Sequence, residues 1–280
     1  MNPRVTLITP VYNAMPYFQD YLACVAAQTW RPLEFICVDD GSQDGSMACV
    51  EQMTPELEQA GVSVRLIRRP HQNQAAAVNA ALPYVTGEFL TWCDADDYLT
   101  PDSVEKKARF LLEHPELGMV RSDGTVVCDG QTTNSARAED RACQNIFDAL
   151  FCDLTYCYAG CYMLRSQLLF SCYPQRTIPL SPEGQNLQLL LPPASRSPCG
   201  FIPDKLHTYF RRPGGHSSQS RSFTQVLERI RNFTQLRLEV LTYCDCDQTQ
   251  YAKKAAEIET ARRKALYYSA AAQAREERMK

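Results

Sequence analysis

The chain has 280 residues, of which 45% are hydrophobic and 22% charged, with a formal net charge of −3; that composition suits one large core or two modest ones. The slight acidity argues against a protein whose main partner is nucleic acid. No stretch approaches the ~18 consecutive apolar residues of a membrane span, and "MNPRVTLITPVYN" has neither the length nor the small-residue cleavage site of a signal peptide, so a cytoplasmic protein is expected.

The first hundred residues alternate between two periodicities. "VTLITP" reads as a strand, "PYFQDYLACVAAQ" as a helix, "LEFICVDD" as a strand, and "DGSMACVEQM" as a helix opened by Asp44 or Ser46. "VSVRLIRR" is a third strand, "QAAAVNAALPYV" a third helix and "EFLTWCD" a fourth strand. This βαβα order predicts a mostly parallel, Rossmann-like sheet with flanking helices, in which ligands bind outside the carboxyl ends of the strands. Asp39 and Asp40 close the second strand, and Asp94, Asp96 and Asp97 the fourth, so both acidic clusters fall on one edge.

After "YLTPDS" a helix is expected with Thr100 as N-cap and Pro101 at its first position, its stripe formed by Val104, Ala108, Leu111 and Leu112. Further on, "GMVRSDGTVVC" reads as a strand and turn and "NIFDALFC" as a short helix. "PLSPEGQNLQLLLPPASRSPCG" reads as a loop leading into a helix stopped by Pro192 and Pro193, and "GFIPDKLHTYFRR" as a strand pair near the sheet edge. From Ser222 the chain is helical and charge-mixed, as a packed hairpin with a solvated face would be. Three segments are expected: 1–103, 104–220 and 221–280.

The 13 cysteines are odd in number, and several lie in apolar segments as small hydrophobes, which speaks against disulfides. Neither Cys152, Cys157 and Cys161 nor Cys244 and Cys246 has the paired spacing of a structural zinc site. His71, His114 and His207 read as loop or surface residues.

Clustered carboxylates after a buried strand need either a cation or open water, because they repel one another and resist desolvation. The cluster at 94–97 has the spacing of a divalent-cation and phosphate site, and Mg²⁺ or Mn²⁺ prefers such hard oxygen ligands. An ordinary wet turn is the other reading.

Taken with "TPVYNA", "VDDGSQDGS" and the Ala77-Val78-Asn79 helix segment, "DADD" resembles the motif series of the family 2 glycosyltransferases of the GT-A fold. The resemblance covers residues 3–103 and implies a GT-A domain with a carboxyl-terminal helical extension. Segment 1–103 would bind the nucleotide-sugar, 104–220 the acceptor, and 221–280 form the helices. By that resemblance Thr9, Pro10 and Tyr12 shape the nucleotide pocket, Asp39 meets the base or its ribose, and Asn79 matches the helix asparagine. Asp94 and Asp96 would hold ribose and metal, Arg211 and Arg212 would neutralise the diphosphate, and His216 would ligate the metal or donate to phosphate. Asp40 would stabilise its turn, and Asn73 stands where a glycine is common.

The acceptor half departs from the pattern. Where many members carry an acidic pair, this chain has Glu183 followed by Gly184, Gln185 and Asn186. Glu183 is the expected general base, since neither Gln nor Asn takes a proton near neutral pH. The implied activity is inverting transfer of a hexosyl or N-acetylhexosaminyl group from a nucleotide-diphosphate donor, with UDP the expected nucleotide. The acceptor would be the hydroxyl of a glycan or lipid-linked molecule, in surface polysaccharide assembly, with Mn²⁺ or Mg²⁺ as cofactor. Peripheral contact with the inner membrane surface is a further implication. A nucleotide-sugar-binding scaffold without turnover is the alternative that Gly184 motivates.

Overall fold

The computed structural model of the chain describes residues 1–212 and 221–278. Strands β1 (Val5–Val11), β2 (Leu33–Asp39) and β4 (Phe89–Trp92) are buried along their whole lengths, as strands covered on both faces must be. With β3 (Val62–Arg68) they form a parallel block in the order β3-β2-β1-β4. Helices α1 (Phe18–Ala26), α2 (Ser46–Gln59) and α3 (Gln74–Ala81) make the crossovers. In α3, Ala75, Ala76, Ala77 and Ala81 are buried, and such small side chains let the helix lie close against β1 and β2. Its N-cap is Asn73, whose side chain accepts from the Ala76 amide at 2.9 Å.

Beyond β4 the sheet changes direction. β8 (Tyr162–Arg165) runs antiparallel to β4, and β6 (Met119–Cys128) antiparallel to β8. β9 (Cys199–Arg211) lies parallel to β6, and β5 (Tyr98–Leu99) pairs antiparallel with β9 at the edge. β7 (Gln131–Asn134) extends β6 as a hairpin. Among the described residues all nine strands join one mixed sheet. One core packs its α1, α2 and α4 (Ser103–Glu113) face; the other lies against α3, α6 (Phe147–Phe151), α7 (Ser166–Cys172), α8 (Asn186–Ala194) and α9 (Phe223–Leu241). A short α5 (Ala138–Ala142) follows β7, and α10 (Gln248–Arg278) returns along α9. No helix of the described residues is long and apolar enough to cross a membrane.

Three local expectations are corrected. α4 starts at Ser103 rather than Pro101, because Thr100 and Asp102 close a turn first: the Ser103 amide donates to the Thr100 carbonyl at 3.0 Å and the Thr100 hydroxyl to Asp102 at 2.7 Å. "GFIPDKLHTYFRR" is one long strand between β6 and β5, and its register slips twice around Asp123. α8 continues through Pro192 and Pro193 to Ala194. Proline at 192 removes the amide that would have bonded the Gln188 carbonyl; the buried Tyr173 hydroxyl donates there instead, at 2.9 Å.

That substitute bond sets a stability test. Tyr173→Phe leaves a buried carbonyl unsatisfied and is expected to lower unfolding free energy by about 1–3 kcal/mol, measured by urea denaturation. Tyr267→Phe, at an exposed ring on α10, should stay within about 0.5 kcal/mol of the parent. An unchanged midpoint for Tyr173→Phe would remove this account of how the prolines are tolerated.

Candidate active site

The loops after β1, β2 and β4 meet at one edge of the sheet. Thr9 and Pro10 are buried in β1, and the Thr9 hydroxyl shares a hydrogen bond with Tyr21 of α1. These two residues therefore act on the edge through the main chain. Tyr12 emerges half exposed and stacks on His71, with ring centroids 3.9 Å apart and planes 17° from parallel. Asn13 binds the next loop: its side chain accepts from the Gln43 amide at 2.8 Å, and its own amide donates to the Ser42 hydroxyl at 3.0 Å.

Asp39 is buried, with Oδ1 accepting the Ser42 amide at 2.9 Å. Asp40 is held by the Arg69 guanidinium at 2.6 Å, the His71 Nδ1 at 2.9 Å and the Gln72 amide at 3.0 Å, so it secures the turn. Gly41 has φ +83°, and a Cβ there would lie 2.8 Å from the main-chain nitrogen of His71, so the close approach of these loops needs glycine.

At the end of β4 each aspartate has a different neighbour. Asp94 accepts from Gln185 at 3.3 Å and Gln74 at 3.5 Å, both neutral amides. Burial, followed by the charges of Asp97 and Asp96, pushes its carboxyl up to about 7. Asp96 is nearly half exposed and pairs with Arg212 at 2.9 Å, while the same Arg212 Nη1 donates to the Asp96 carbonyl at 2.5 Å. Asp97 is buried against His207 Nε2 at 3.0 Å and accepts the Phe210 amide at 3.2 Å. Burial, then the Asp96 charge, raises its pKa well above the ordinary carboxylate value.

Beneath this turn lies a second polar layer. His207 is almost fully buried, which corrects its reading as a surface residue. Its ring occupies the space a Cβ on Gly160 would need, at 2.4 Å, and Gly160 has φ +81°. The Lys107 ammonium donates to the Gly160 carbonyl, and burial pulls its pKa down to about 8. Cys93, Asp97 and His207 bring three ligand-type atoms within 4.8 Å of one another. Two of the three, Asp97 and His207, already bond each other, and the buried Lys107 nearby opposes a further cation. The outward set is the better match to Mg²⁺ or Mn²⁺: Asp94 and Asp96 offer hard carboxylate oxygens, and the Gln185 Oε1 beside them is buried with no hydrogen-bond partner among the described residues.

Other expected residues are placed as follows. Arg211 ends β9 with its side chain exposed, and Arg212 stacks its guanidinium 3.8 Å above the Tyr17 ring. Asn79 exchanges two bonds with the Ile178 main chain, at 2.7 and 2.9 Å, and so ties α3 to the segment before Glu183. His216 lies outside the described residues. The Glu183 carboxylate is nearly buried and engaged by α9, through Arg229 at 3.1 Å and Asn232 at 3.2 Å.

Residues 6–170, well over half the chain, match the family model described as Glycosyl transferase family 2. The chain belongs to that family. An uncharacterized glycosyltransferase of Haemophilus influenzae is 32% identical over 113 residues, 40% of this chain and 44% of that protein. A chondroitin synthase of Pasteurella multocida is 29% identical over 135 residues, 46% of this chain and 14% of that enzyme. The matches thus span less than half the length of these relatives.

Similarity in structure extends further along the chain. A fragment of Staphylococcus aureus TarS in complex with UDP-GlcNAc superposes with a TM-score of 0.67 at 20% identity, covering 91% of this chain and 71% of that one. The mannosyltransferase PcManGT of Pyrobaculum calidifontis, in complex with GDP-Man and Mn²⁺, gives 0.62 at 20% identity, covering 98% and 75%. This family 2 chain therefore has the GT-A-like mixed α/β sheet with flanking helices, followed by carboxyl-terminal helices.

Sequence reasoning missed His207, Gln185, Arg229 and Asn232. Strand alternation could not reveal His207, because the slipped register buries Leu206 and His207 in succession.

The raised Asp94 carboxyl gives a pH test. Its folded pKa lies above the unfolded value, so the folded state binds the extra proton. Its stabilisation is complete below about pH 4 and is lost as pH rises through about 7. The thermal midpoint should fall across that window, less steeply in Asp94→Asn, when followed by circular dichroism. An equal slope in Asp94→Asn and the parent would remove Asp94 as its source.

Proposed function

We propose that this family 2 chain is a metal-dependent, inverting glycosyltransferase. It moves a hexosyl or N-acetylhexosaminyl group from a nucleoside-diphosphate donor, with UDP the favoured nucleotide, to a hydroxyl of a glycan or lipid-linked acceptor in surface polysaccharide assembly. The observation that carries the reading is the convergence of Asp39, Asp94, Asp96 and Arg212 on the carboxyl edge of the parallel strands, where an α/β sheet binds its ligand.

Tyr12 and Asp39 take the nucleoside end, with Thr9 and Pro10 shaping its floor. Asp94 is placed for the ribose and Asp96 for Mn²⁺ or Mg²⁺, which when bound supplies positive charge against the diphosphate. Arg212, and Arg211 beside it, offset charge that builds on the departing group. The acceptor hydroxyl gives its proton to Glu183 as its oxygen bonds the anomeric carbon. The bond from that carbon to the diphosphate breaks on the opposite face, and its electron pair leaves with the nucleotide. One displacement inverts the anomeric centre. In this reading 1–103 is the donor half and 104–220 the acceptor half, and the enzyme works in the cytoplasm, in peripheral contact with the inner membrane surface.

Isothermal titration of UDP with Mn²⁺, and again with EDTA, tests the donor site. Binding is expected to need the metal and to weaken at least tenfold in Asp96→Ala. Tighter binding of GDP under the same conditions would overturn the UDP assignment and keep the site. No binding by any nucleotide would leave the aspartates as a wet turn and end the transferase reading.

A further inference from the structure

The Glu183 carboxylate is held from outside its own loop. Arg229 Nε meets Oε2 at 3.1 Å and the Asn232 amide meets Oε1 at 3.2 Å, leaving the glutamate side chain 8% exposed. Arg229 and Asn232 are three residues apart and so lie on one face of α9. The far end of that helix is a firm reference: Leu236, Val240 and Leu241 are buried in the core, and Arg237 pairs with Asp153. The loop end is fixed as well, because the Glu183 amide donates to the Ser181 hydroxyl at 3.1 Å and Gly184 turns the chain into α8 at φ +106°.

Nearly burying a carboxylate, even beside a guanidinium that stays 31% exposed, costs desolvation that a plain structural staple seldom recovers. Orienting a reacting group is a use that justifies it, since a base works only in a narrow range of geometry and is commonly held there by a further group. A carboxylate offers about four lone-pair positions, and α9 takes one on each oxygen, so sites remain for an acceptor proton. We propose that Arg229 and Asn232 are positioning residues that fix Glu183 for proton transfer, which makes α9 part of the acceptor site. This rests on the assignment of Glu183 as the base.

The test is a double-mutant cycle on the full chain. It follows UDP release from UDP-N-acetylglucosamine with Mn²⁺ and a panel of octyl glycosides as acceptors, alongside UDP binding by calorimetry. Arg229→Met should lower kcat about 10- to 100-fold while the UDP Kd stays within about twofold, and Arg229→Lys should recover part of the loss. Asn232→Ala should lower kcat in the same direction and covers the case in which Arg229→Met folds poorly. Glu183→Gln/Arg229→Met should be no slower than Glu183→Gln, because the two act as one unit.

Full kcat in Arg229→Met and Asn232→Ala, with Glu183→Gln inactive, would overturn this inference alone and leave a structural staple. Losses that multiply in the double variant would also overturn it, because Arg229 would then act on another group. Parental turnover in Glu183→Gln would remove the base assignment and this inference together.

Discussion

Carboxylates gathered at the end of buried strands govern this molecule. β2 and β4 are buried along their lengths and lead into Asp39 and Asp40, and into Asp94, Asp96 and Asp97. Each charge must be returned to water, neutralised by a partner, or protonated. The structure answers differently at each position. Asp40 has Arg69 and His71, Asp97 has His207, and Asp96 has Arg212 with part of its surface in solvent. Asp94 is met by the neutral amides of Gln74 and Gln185, and burial with the neighbouring carboxylates raises its pKa. A cation or a hydroxyl donor there would supply what those amides do not.

His207, Arg212 and Gln185 come from far along the chain, beyond the parallel block. The parallel block sets the aspartates on one edge, and β9 then returns between β6 and β5 to deliver His207, the Phe210 amide and Arg212 to the same turn. Lys107 from α4 braces the Gly160 loop underneath, where only glycine leaves room for the imidazole. For Asp96 and Asp97 the first half supplies the charge and the second its compensation, whereas Asp40 finds Arg69 and His71 within the first half. A ligand at this edge would touch both.

How much of this was legible in the sequence follows from the range of the forces involved. The parallel block was readable because apolar strands and alanine-rich or amphipathic helices are local patterns, and strand ends locate the ligand edge without further information. The aspartates could be placed for the same reason. Their partners could not, because an interaction such as Asp97 with His207 spans 110 positions and leaves no periodic trace. Proline in α8 misled for a related reason: the rule that proline ends a helix assumes that the freed carbonyl goes unpaired, and Tyr173, just after α7, pairs it. Asn79 was found by its motif, yet its two bonds to Ile178 give it a scaffold task that the motif does not distinguish.

The substitution of glycine at position 184 has a consequence for the helices that follow. Gly184 takes a left-handed turn at φ +106°, which an acidic side chain would find strained. The turn lets Gln185 reach Asp94, and lets Asn186 accept the Trp92 indole at 2.7 Å. The start of α8 is thereby stitched to the end of β4, while Glu183, one residue earlier, faces α9. Gly184 fixes the backbone of the loop, and the Glu183 carboxylate meets a helix more than forty residues downstream. Carboxyl-terminal helices anchored through Leu236, Val240 and Leu241 are therefore structurally continuous with the site. A change in how α9 packs reaches Glu183 through Arg229 and Asn232, and reaches Asp94 through α8 and Gln185.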